Sequence, residues 1–205
     1  MRVIGTVGLP GSGKGEAAAV AEAEGVPVVT MGDVIREACR NRGLDPAEHH
    51  GAVARALREE DGPAAVAERS IPAIRDAAAD ADAVLVDGLR STVELERFRE
   101  AFGDDFRLVA VEAPFDLRAE RLGARGRDDS DVDVEALRQR EERELEFGMG
   151  EVIDAADVTV DNTGTLAAFR ERIRAILAAE GDDPGTDGDR PPADATREAD
   201  AGGQP

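Results

Sequence analysis

The chain has 205 residues, of which 41% are hydrophobic, and a formal net charge of -20 at pH 7. This length fits one α/β domain with a tail, and the negative charge argues against nucleic acid and anionic membranes as partners because it repels phosphate groups. Cys39 is the sole cysteine, which excludes an internal disulfide. We expect a cytoplasmic protein, because neither a signal peptide nor an apolar segment of membrane-spanning length is evident. The acidic excess, with Arg in place of Lys, indicates a cytoplasm rich in salt.

The first predicted elements are a strand over residues 3–7, a glycine-rich turn, and a helix over residues 16–23. The turn has the G-x-x-x-x-G-K spacing of a phosphate-binding loop, and it reads Gly8-Leu9-Pro10-Gly11-Ser12-Gly13-Lys14-Gly15. Glycines let backbone N–H groups converge on an anion, and the helix that follows adds its positive dipole end. Lys14 is the only lysine of the chain and suits the β- and γ-phosphates. We expect this loop, with Glu16, to bind ATP, with GTP as the alternative.

The position after Lys14 is Gly15 rather than Ser or Thr, so the hydroxyl that usually contacts Mg²⁺ is missing. A predicted strand over residues 83–87 ends in Asp87 after four apolar residues, which is typical of a carboxylate that orients Mg²⁺ through water. An Asp that only caps the next helix gives the same pattern, but the phosphate-binding loop upstream favours the metal role. We predict that Asp87 and water hold Mg²⁺.

Only helices are predicted between a second strand, over residues 26–30, and the strand that ends in Asp87. These helices cover residues 34–42, 45–60 and 64–79. A break is expected at Gly51, and Pro72 is expected to kink or divide the third helix. His49 and His50 are assigned to an unstructured surface turn. We interpret residues 32–80 as a helical insertion.

The remaining chain continues the alternation of helix and strand. Predicted helices cover residues 92–102, 115–124, 134–146 and 166–179, and predicted strands cover residues 107–111 and 158–160. Alternating elements predict a three-layer α/β fold with a five-stranded parallel sheet and helices on both faces. Residues 121–133, with Arg121, Arg125 and Arg127, are interpreted as a short lid. Residues 181–205 are predicted to be a disordered acidic tail after a domain over residues 1–180.

Ligands of parallel sheets bind beyond the carboxyl ends of the strands. The second strand presents Asp33 and Arg36 there, and the third presents Asp87 and Arg90. Either arginine suits bidentate binding of an acceptor phosphate or carboxylate, although each also fits a solvated helix face. Arg140 and Arg143, on a highly charged predicted helix, could also reach inward, whereas a solvated face is expected for most of that helix.

These motifs resemble the nucleoside-monophosphate-kinase branch of the P-loop NTPase fold. The loop at Gly8 is similar to that of adenylate kinases, residues 31–36 resemble their acceptor segment, and residues 87–91 resemble a shortened Asp-Gly-Phe-Pro-Arg segment. Residues 161–166 look like the loop that lies against adenine in dephospho-coenzyme A kinase, which implies nucleotide contacts for Asn162 and Gly164. The chain to about residue 179 most closely resembles an archaeal group, uncharacterised protein family 0200, which is described as kinase-like and ATP-binding.

Two functions follow from these residues. The first is a phosphotransferase in which Lys14, Arg121 and Arg127 stabilise the moving phosphoryl group of Mg-ATP, and Arg36 and Arg90 hold a nucleotide or a coenzyme A precursor. An acceptor hydroxyl would lose its proton to Asp33, whereas an acceptor phosphate needs no strong base. The alternative is a nucleotide-dependent ATPase or switch without a small-molecule acceptor. We expect a monomer or a homodimer in either case.

Overall fold

The computed structural model describes residues 1–125 and 134–179. In this part of the chain the strands are β1 (Arg2–Val7), β2 (Val28–Thr30), β3 (Ala83–Asp87), β4 (Phe106–Glu112) and β5 (Val158–Asp161). They form one sheet in the order β2-β3-β1-β4-β5, and every neighbouring pair runs parallel. The predicted three-layer α/β fold with a five-stranded parallel sheet is therefore confirmed.

Helices cover both faces of this sheet. They are α1 (Lys14–Ala23), α2 (Met31–Asn41), α3 (Pro46–Asp61), α4 (Ala65–Ala78), α5 (Thr92–Phe102), α6 (Phe115–Arg125), α7 (Val134–Glu146), α8 (Met149–Asp154) and α9 (Leu166–Ala178), with a 3-10 turn at Gly103–Asp105. Within the described residues, no helix has the length and apolarity that crossing a bilayer requires.

Alternating side chains of the strands supply two separate cores, as expected for a sheet that is buried on both faces. The larger core packs one face of the sheet against α2, α3, α4, α5 and α8, and its buried strand residues are Val3, Val7, Val84, Val86, Phe106, Leu108 and Ala110. The smaller core packs the other face against α1 and α9, and its strand residues are Ile4, Leu85, Val109, Val111 and Val160. The period-two pattern of each strand thus fixes the three layers.

The strand register brings the carboxyl ends of β1, β3 and β4 to one edge. Thr6 pairs with Asp87 across β1 and β3, and Val7 pairs with Ala110 across β1 and β4. Because β1 has β3 on one side and β4 on the other, the chain leaves β1 at the point where the strand order reverses. Open parallel sheets bind their ligands in the crevice at this point.

The helices between β2 and β3 differ from the prediction in three places. α2 begins at Met31, immediately after β2, rather than at residue 34 after a turn. α3 runs without a break through Gly51, so His49 and His50 lie in a helix and not in an unstructured turn. Pro72 lies inside α4 without dividing it. Packing of buried residues on these helices outweighs the local preferences of glycine and proline.

Other differences are small. α8 was not predicted, because it is only six residues long and follows Gly148 in the left-handed region at φ 101°. Its Met149 and Val152 are buried in the larger core. Arg127 and most of the predicted lid at residues 121–133 lie outside the described residues, as does the predicted tail at residues 181–205.

Candidate active site

The loop between β1 and α1 has the tight backbone that phosphate binding requires. Gly11 and Gly13 have φ angles of 81° and 122°, which side chains other than glycine rarely adopt. A Cβ atom on Gly13 would lie 2.3 Å from Nδ2 of Asn162, and one on Gly11 would lie 2.7 Å from the carbonyl oxygen of Arg118. The loop is therefore closely packed on its outer side. Oγ of Ser12 is buried without a hydrogen-bond partner in the described residues.

Lys14 opens α1 and folds back over the loop. Its ammonium donates hydrogen bonds to the carbonyl oxygen of Gly8 and, at 3.4 Å, to that of Leu9. Burial lowers the pKa of Lys14 from its usual 10.5, while the carboxylates of Asp87 and, to a lesser extent, Glu144 oppose this change. A triphosphate bound in the loop would place negative charge beside the desolvated ammonium of Lys14 and so stabilise its charged form.

Asp87 lies at the end of β3, beside the loop. Its Oδ1 accepts a hydrogen bond of 3.0 Å from Oγ1 of the buried Thr6, which fixes the carboxylate at the crevice. A carboxylate that faces a phosphate-binding lysine fits a Mg²⁺ ion that is bound together with nucleotide. Gly15 supplies no side-chain ligand, and a Cβ atom there would meet no atom within 4 Å. Asp87 is thus a candidate metal ligand among the described residues.

A cavity of about 390 Å³ opens beside the loop between α2, α3, the segment after β3, and α7. Its charged lining consists of Arg58, Arg90, Arg140, Arg143 and Glu144, and its apolar lining includes Ile35, Ala54, Phe147 and Met149. Arg90 was predicted at an acceptor site, and the structure brings it to this wall. His50 also lines the cavity, which corrects its assignment as a plain surface residue. Burial lowers the pKa of His50 below its usual 6.5.

A buried carboxylate holds two of the arginines in the cavity wall. Glu94 is 1% exposed and accepts hydrogen bonds from the backbone N–H of Arg90 at 2.9 Å and from the guanidinium of Arg58 at 3.1 Å. The side chain of Ser91 caps α5 by accepting a hydrogen bond from the backbone N–H of Glu94. The cap therefore sets the start of the helix that carries Glu94.

Asp33 and Arg36 lie on the first turns of α2 and bind each other. The guanidinium of Arg36 is 2.7 Å from Oδ1 of Asp33, and 66% of the Asp33 side chain is exposed. Neither residue lines the cavity described above, although the charge of Arg36 acts on His50. The structure thus places the predicted pair on the rim of the crevice rather than in its floor.

Asn162 and Arg121 support the phosphate-binding loop from the side of α6 and β5. Nδ2 of the buried Asn162 donates to the carbonyl oxygen of Ser12 at 2.7 Å. Arg121 donates to the backbone carbonyl of Asn162 at 2.8 Å. Gly164 follows on the same loop and lines, with Asn162, a second cavity of about 520 Å³. The structure therefore brings Arg121, Asn162 and Gly164, which the sequence assigns to the nucleotide, together next to the loop.

Two further residues lie differently from what the sequence indicates. Glu16, predicted to bind nucleotide, accepts a hydrogen bond of 2.7 Å from Arg170 and so pairs α1 with α9. Arg118 was not singled out, yet it is only 3% exposed and donates to the carbonyl oxygen of Pro10 at 3.1 Å. The residues next to Arg118 in the sequence do not indicate that it supports the loop, because the contact joins residues 108 positions apart.

The fold and this site define a P-loop kinase-like α/β protein, and residues 7–138 match the family described as AAA domain. Solved structures show the same fold. Protein TT1252 from Thermus thermophilus has a TM-score of 0.58 at 21% identity, covering 86% of this chain and 96% of that one. Shikimate kinase from Acinetobacter baumannii, in complex with shikimate, has a TM-score of 0.52 at 19% identity, with 86% and 93% covered. A gluconokinase from Sinorhizobium meliloti has a TM-score of 0.51 at 22% identity, with 86% and 91% covered.

Within this class, the chain belongs to the UPF0200 family of archaeal proteins. It is 58% identical over 180 residues to a UPF0200 protein of Halobacterium salinarum, covering 88% of this chain and 94% of that protein. It is 45% identical over 179 residues to a UPF0200 protein of Methanosarcina mazei, with 87% and 95% covered. The resemblance to uncharacterised protein family 0200 is therefore confirmed.

Proposed function

We propose that the protein is a phosphotransferase that moves the γ-phosphoryl group of Mg-ATP to a small, nucleotide-like acceptor. The observation that carries this proposal is the position of a formed phosphate-binding loop next to an arginine-lined cavity at one edge of the sheet. A protein that only hydrolyses ATP has no need of a second, cationic cavity. The names shikimate kinase and gluconokinase of two structural neighbours favour the same class of reaction.

On the donor side, the loop amides and the Lys14 ammonium bind the β- and γ-phosphates, and Arg121 with Arg127 balances charge on the moving phosphoryl group. The cavity at Asn162 and Gly164 is proposed for the base of the nucleotide. Mg²⁺, when bound, neutralises charge on the triphosphate oxygens, and Asp87 with water would hold it.

On the acceptor side, Arg90 and Arg36 bind the acceptor and orient it toward the loop. The acceptor proposed for this site is a nucleoside monophosphate or a precursor of coenzyme A. A phosphate oxygen can attack without a base, whereas a hydroxyl acceptor would donate its proton to Asp33. In the free protein the guanidinium of Arg36 pairs with the Asp33 carboxylate at 2.7 Å. Positioning of the two substrates supplies most of the rate enhancement in this chemistry.

The test is ADP formation by the full chain with Mg-ATP and a panel of acceptors in molar KCl. The panel contains nucleoside monophosphates, dephospho-coenzyme A, shikimate and gluconate. Lys14→Met should abolish ADP formation, and Arg36→Ala and Arg90→Ala should each reduce it at least tenfold while leaving ATP binding intact. Arg55→Ala changes an exposed arginine on α3 and serves as the matched control, with unchanged rates.

The alternative, a nucleotide-dependent ATPase or switch, predicts a different pattern. ADP would then form at the same rate with and without each acceptor, and Arg90→Ala would leave that rate unchanged. Acceptor-independent ADP formation across the panel would therefore contradict the phosphotransferase proposal.

A further inference from the structure

We infer that the arginine-lined cavity binds a phosphate monoester, and that the carboxylate of Glu144 occupies the phosphate position in the free protein. The inference rests on the proposed function, because it names the chemical class of the acceptor. It concerns Glu144 of α7, which no sequence pattern separates from the other acids of that helix.

The cavity is positively charged in a strongly acidic protein. Four arginines and one glutamate line it, and Glu94 behind Arg58 supplies a second carboxylate. Two positive charges remain unbalanced, although the whole chain carries a net charge of -20. A phosphate monoester at neutral pH carries close to two negative charges and would balance them.

Glu144 lies where such an anion would bind. Its Oε1 is 3.1 Å from Nε of Arg140 and 3.5 Å from Nη1 of Arg90, so one oxygen bridges guanidinium groups from α7 and from the segment after β3. The side chain of Glu144 is only 12% exposed, whereas those of Arg90 and Arg140 are 46% and 55% exposed. The two arginines therefore present free donor groups to the cavity around a carboxylate that is itself nearly buried.

The Arg143 guanidinium adds to the same wall. Among residues 1–125 and 134–179 it has no carboxylate partner, and it lines the cavity together with Arg90 and Arg140. A tetrahedral phosphate offers more acceptor oxygens than a carboxylate and can bind three guanidinium groups at once. A phosphate can thus replace Glu144, whereas a neutral polyol has no charge with which to compete.

The apolar part of the lining suits an apolar or planar group next to the phosphate. Phe147 lines the cavity with 48% of its surface exposed, and the Arg58 guanidinium lies 4.9 Å from its ring centre. Ile35 and Met149 continue this wall. A ligand with a ring attached to its phosphate would cover the exposed face of Phe147 and bind more tightly than inorganic phosphate.

The experiment titrates inorganic phosphate and phenyl phosphate into full-length protein by calorimetry. All variants also carry Lys14→Met, so the phosphate-binding loop does not contribute its ammonium. Glu144→Gln should tighten binding of inorganic phosphate about tenfold, because the internal competitor loses its charge. Glu142→Gln, which removes an exposed carboxylate from the same helix, should change it less than twofold. Arg140→Ala should weaken it about tenfold, and Phe147→Ala should remove the advantage of phenyl phosphate.

Equal affinities for the Glu144→Gln and Glu142→Gln proteins would overturn the inference, and so would binding that is insensitive to Arg140→Ala. Thermal unfolding of each variant establishes that it is folded. The titration uses no ATP, so failure of the inference can be distinguished from failure of the proposed function. Absence of ADP formation with every acceptor refutes that function, whereas the phosphate affinities decide the role of Glu144.

Discussion

The buried Arg118 and the partly buried Glu141 form an ion pair that joins the phosphate-binding loop to α7. One terminal nitrogen of Arg118 lies 2.9 Å and 2.8 Å from the two carboxylate oxygens of Glu141, and the other donates to the carbonyl oxygen of Pro10. Nε of Arg118 also donates to the carbonyl oxygen of Ala113 at 2.8 Å. Glu141 precedes Glu144 by less than one helical turn, so the same contact positions α7 at the arginine-lined cavity.

Glu141→Gln should destabilise the protein by about 3 kcal/mol, because it leaves the Arg118 guanidinium buried without its counter-charge. Urea unfolding measures the change. The double variant Arg118→Met/Glu141→Leu removes both charges and should recover much of the loss. Glu68→Gln breaks an exposed pair with Arg97 and should not measurably change stability. A Glu141→Gln protein as stable as the wild type would contradict a structural role for this pair.

Gly13→Ala should abolish ATP binding, because its Cβ atom would overlap Nδ2 of Asn162 in a backbone conformation that alanine rarely adopts. Gly15→Ala is the matched control, since a Cβ atom there meets no atom within 4 Å. ATP-dependent shifts of the thermal midpoint measure both. The double variant Gly13→Ala/Asn162→Ala relieves the overlap but not the backbone strain, so its ATP binding should recover only in part. Equal ATP binding by Gly13→Ala and Gly15→Ala would refute the packing argument.

Gly15→Thr should lower the Mg²⁺ concentration at which ATP-dependent activity is half-maximal. The open space at Gly15 accommodates the side chain, and its hydroxyl would provide the metal ligand that this loop lacks. Gly15→Val, which has a similar shape without the hydroxyl, is the control. If the threonine and valine variants respond alike to Mg²⁺, then the missing hydroxyl does not limit metal binding.

ATP binding at pH 9 should be accompanied by proton uptake. Burial lowers the pKa of Lys14 in the free protein, and bound phosphates favour the charged ammonium. A fraction of the protein molecules must therefore gain a proton at Lys14 when ATP binds. Calorimetry in two buffers of different ionisation enthalpy measures the number of protons. Because Lys14 is the sole lysine, no other lysine contributes, and absence of proton uptake at pH 9 and above would contradict the assignment.

The same pKa has a consequence for stability. Folding lowers the pKa of Lys14, so the charged form of Lys14 is disfavoured in the folded state. The free energy of unfolding should therefore increase as the pH rises from the lowered pKa toward 10.5. At pH 7, Lys14→Met should therefore leave the free protein equally stable or more stable while it removes stabilisation by ATP. Thermal unfolding with and without Mg-ATP measures both effects, and a large loss of stability in the free variant would show that the ammonium is a structural group.

Stability should rise as KCl increases from about 0.1 M to about 2 M, because salt screens repulsion among the charges that give a net charge of -20. Potassium glutamate at equal ionic strength should act like KCl, and the urea midpoint measures both. A gain that appears only with sulfate would instead indicate exclusion of the salt from the protein surface.

Much of the fold could be predicted because its signals are local. Apolar runs define the strands, and the spacing from Gly8 to Lys14 defines the phosphate-binding loop. Predictions were wrong where packing overrides local preference: His50 was assigned to a turn, but buried residues on the same helix hold it in α3 and bring it to the cavity.

The sequence alone determined the layered α/β class, the phosphate-binding loop, and the carboxylate at the end of β3, because each depends on residues that are adjacent in the chain. Only the tertiary structure decided which distant side chains meet. Arg118 donates a hydrogen bond to the carbonyl oxygen of Pro10, and Asn162 donates one to that of Ser12. Glu144 lies between Arg90 and Arg140. Each of these contacts depends on how helices and strand ends pack around the crevice, and pairing between remote residues leaves no periodic pattern in a single sequence.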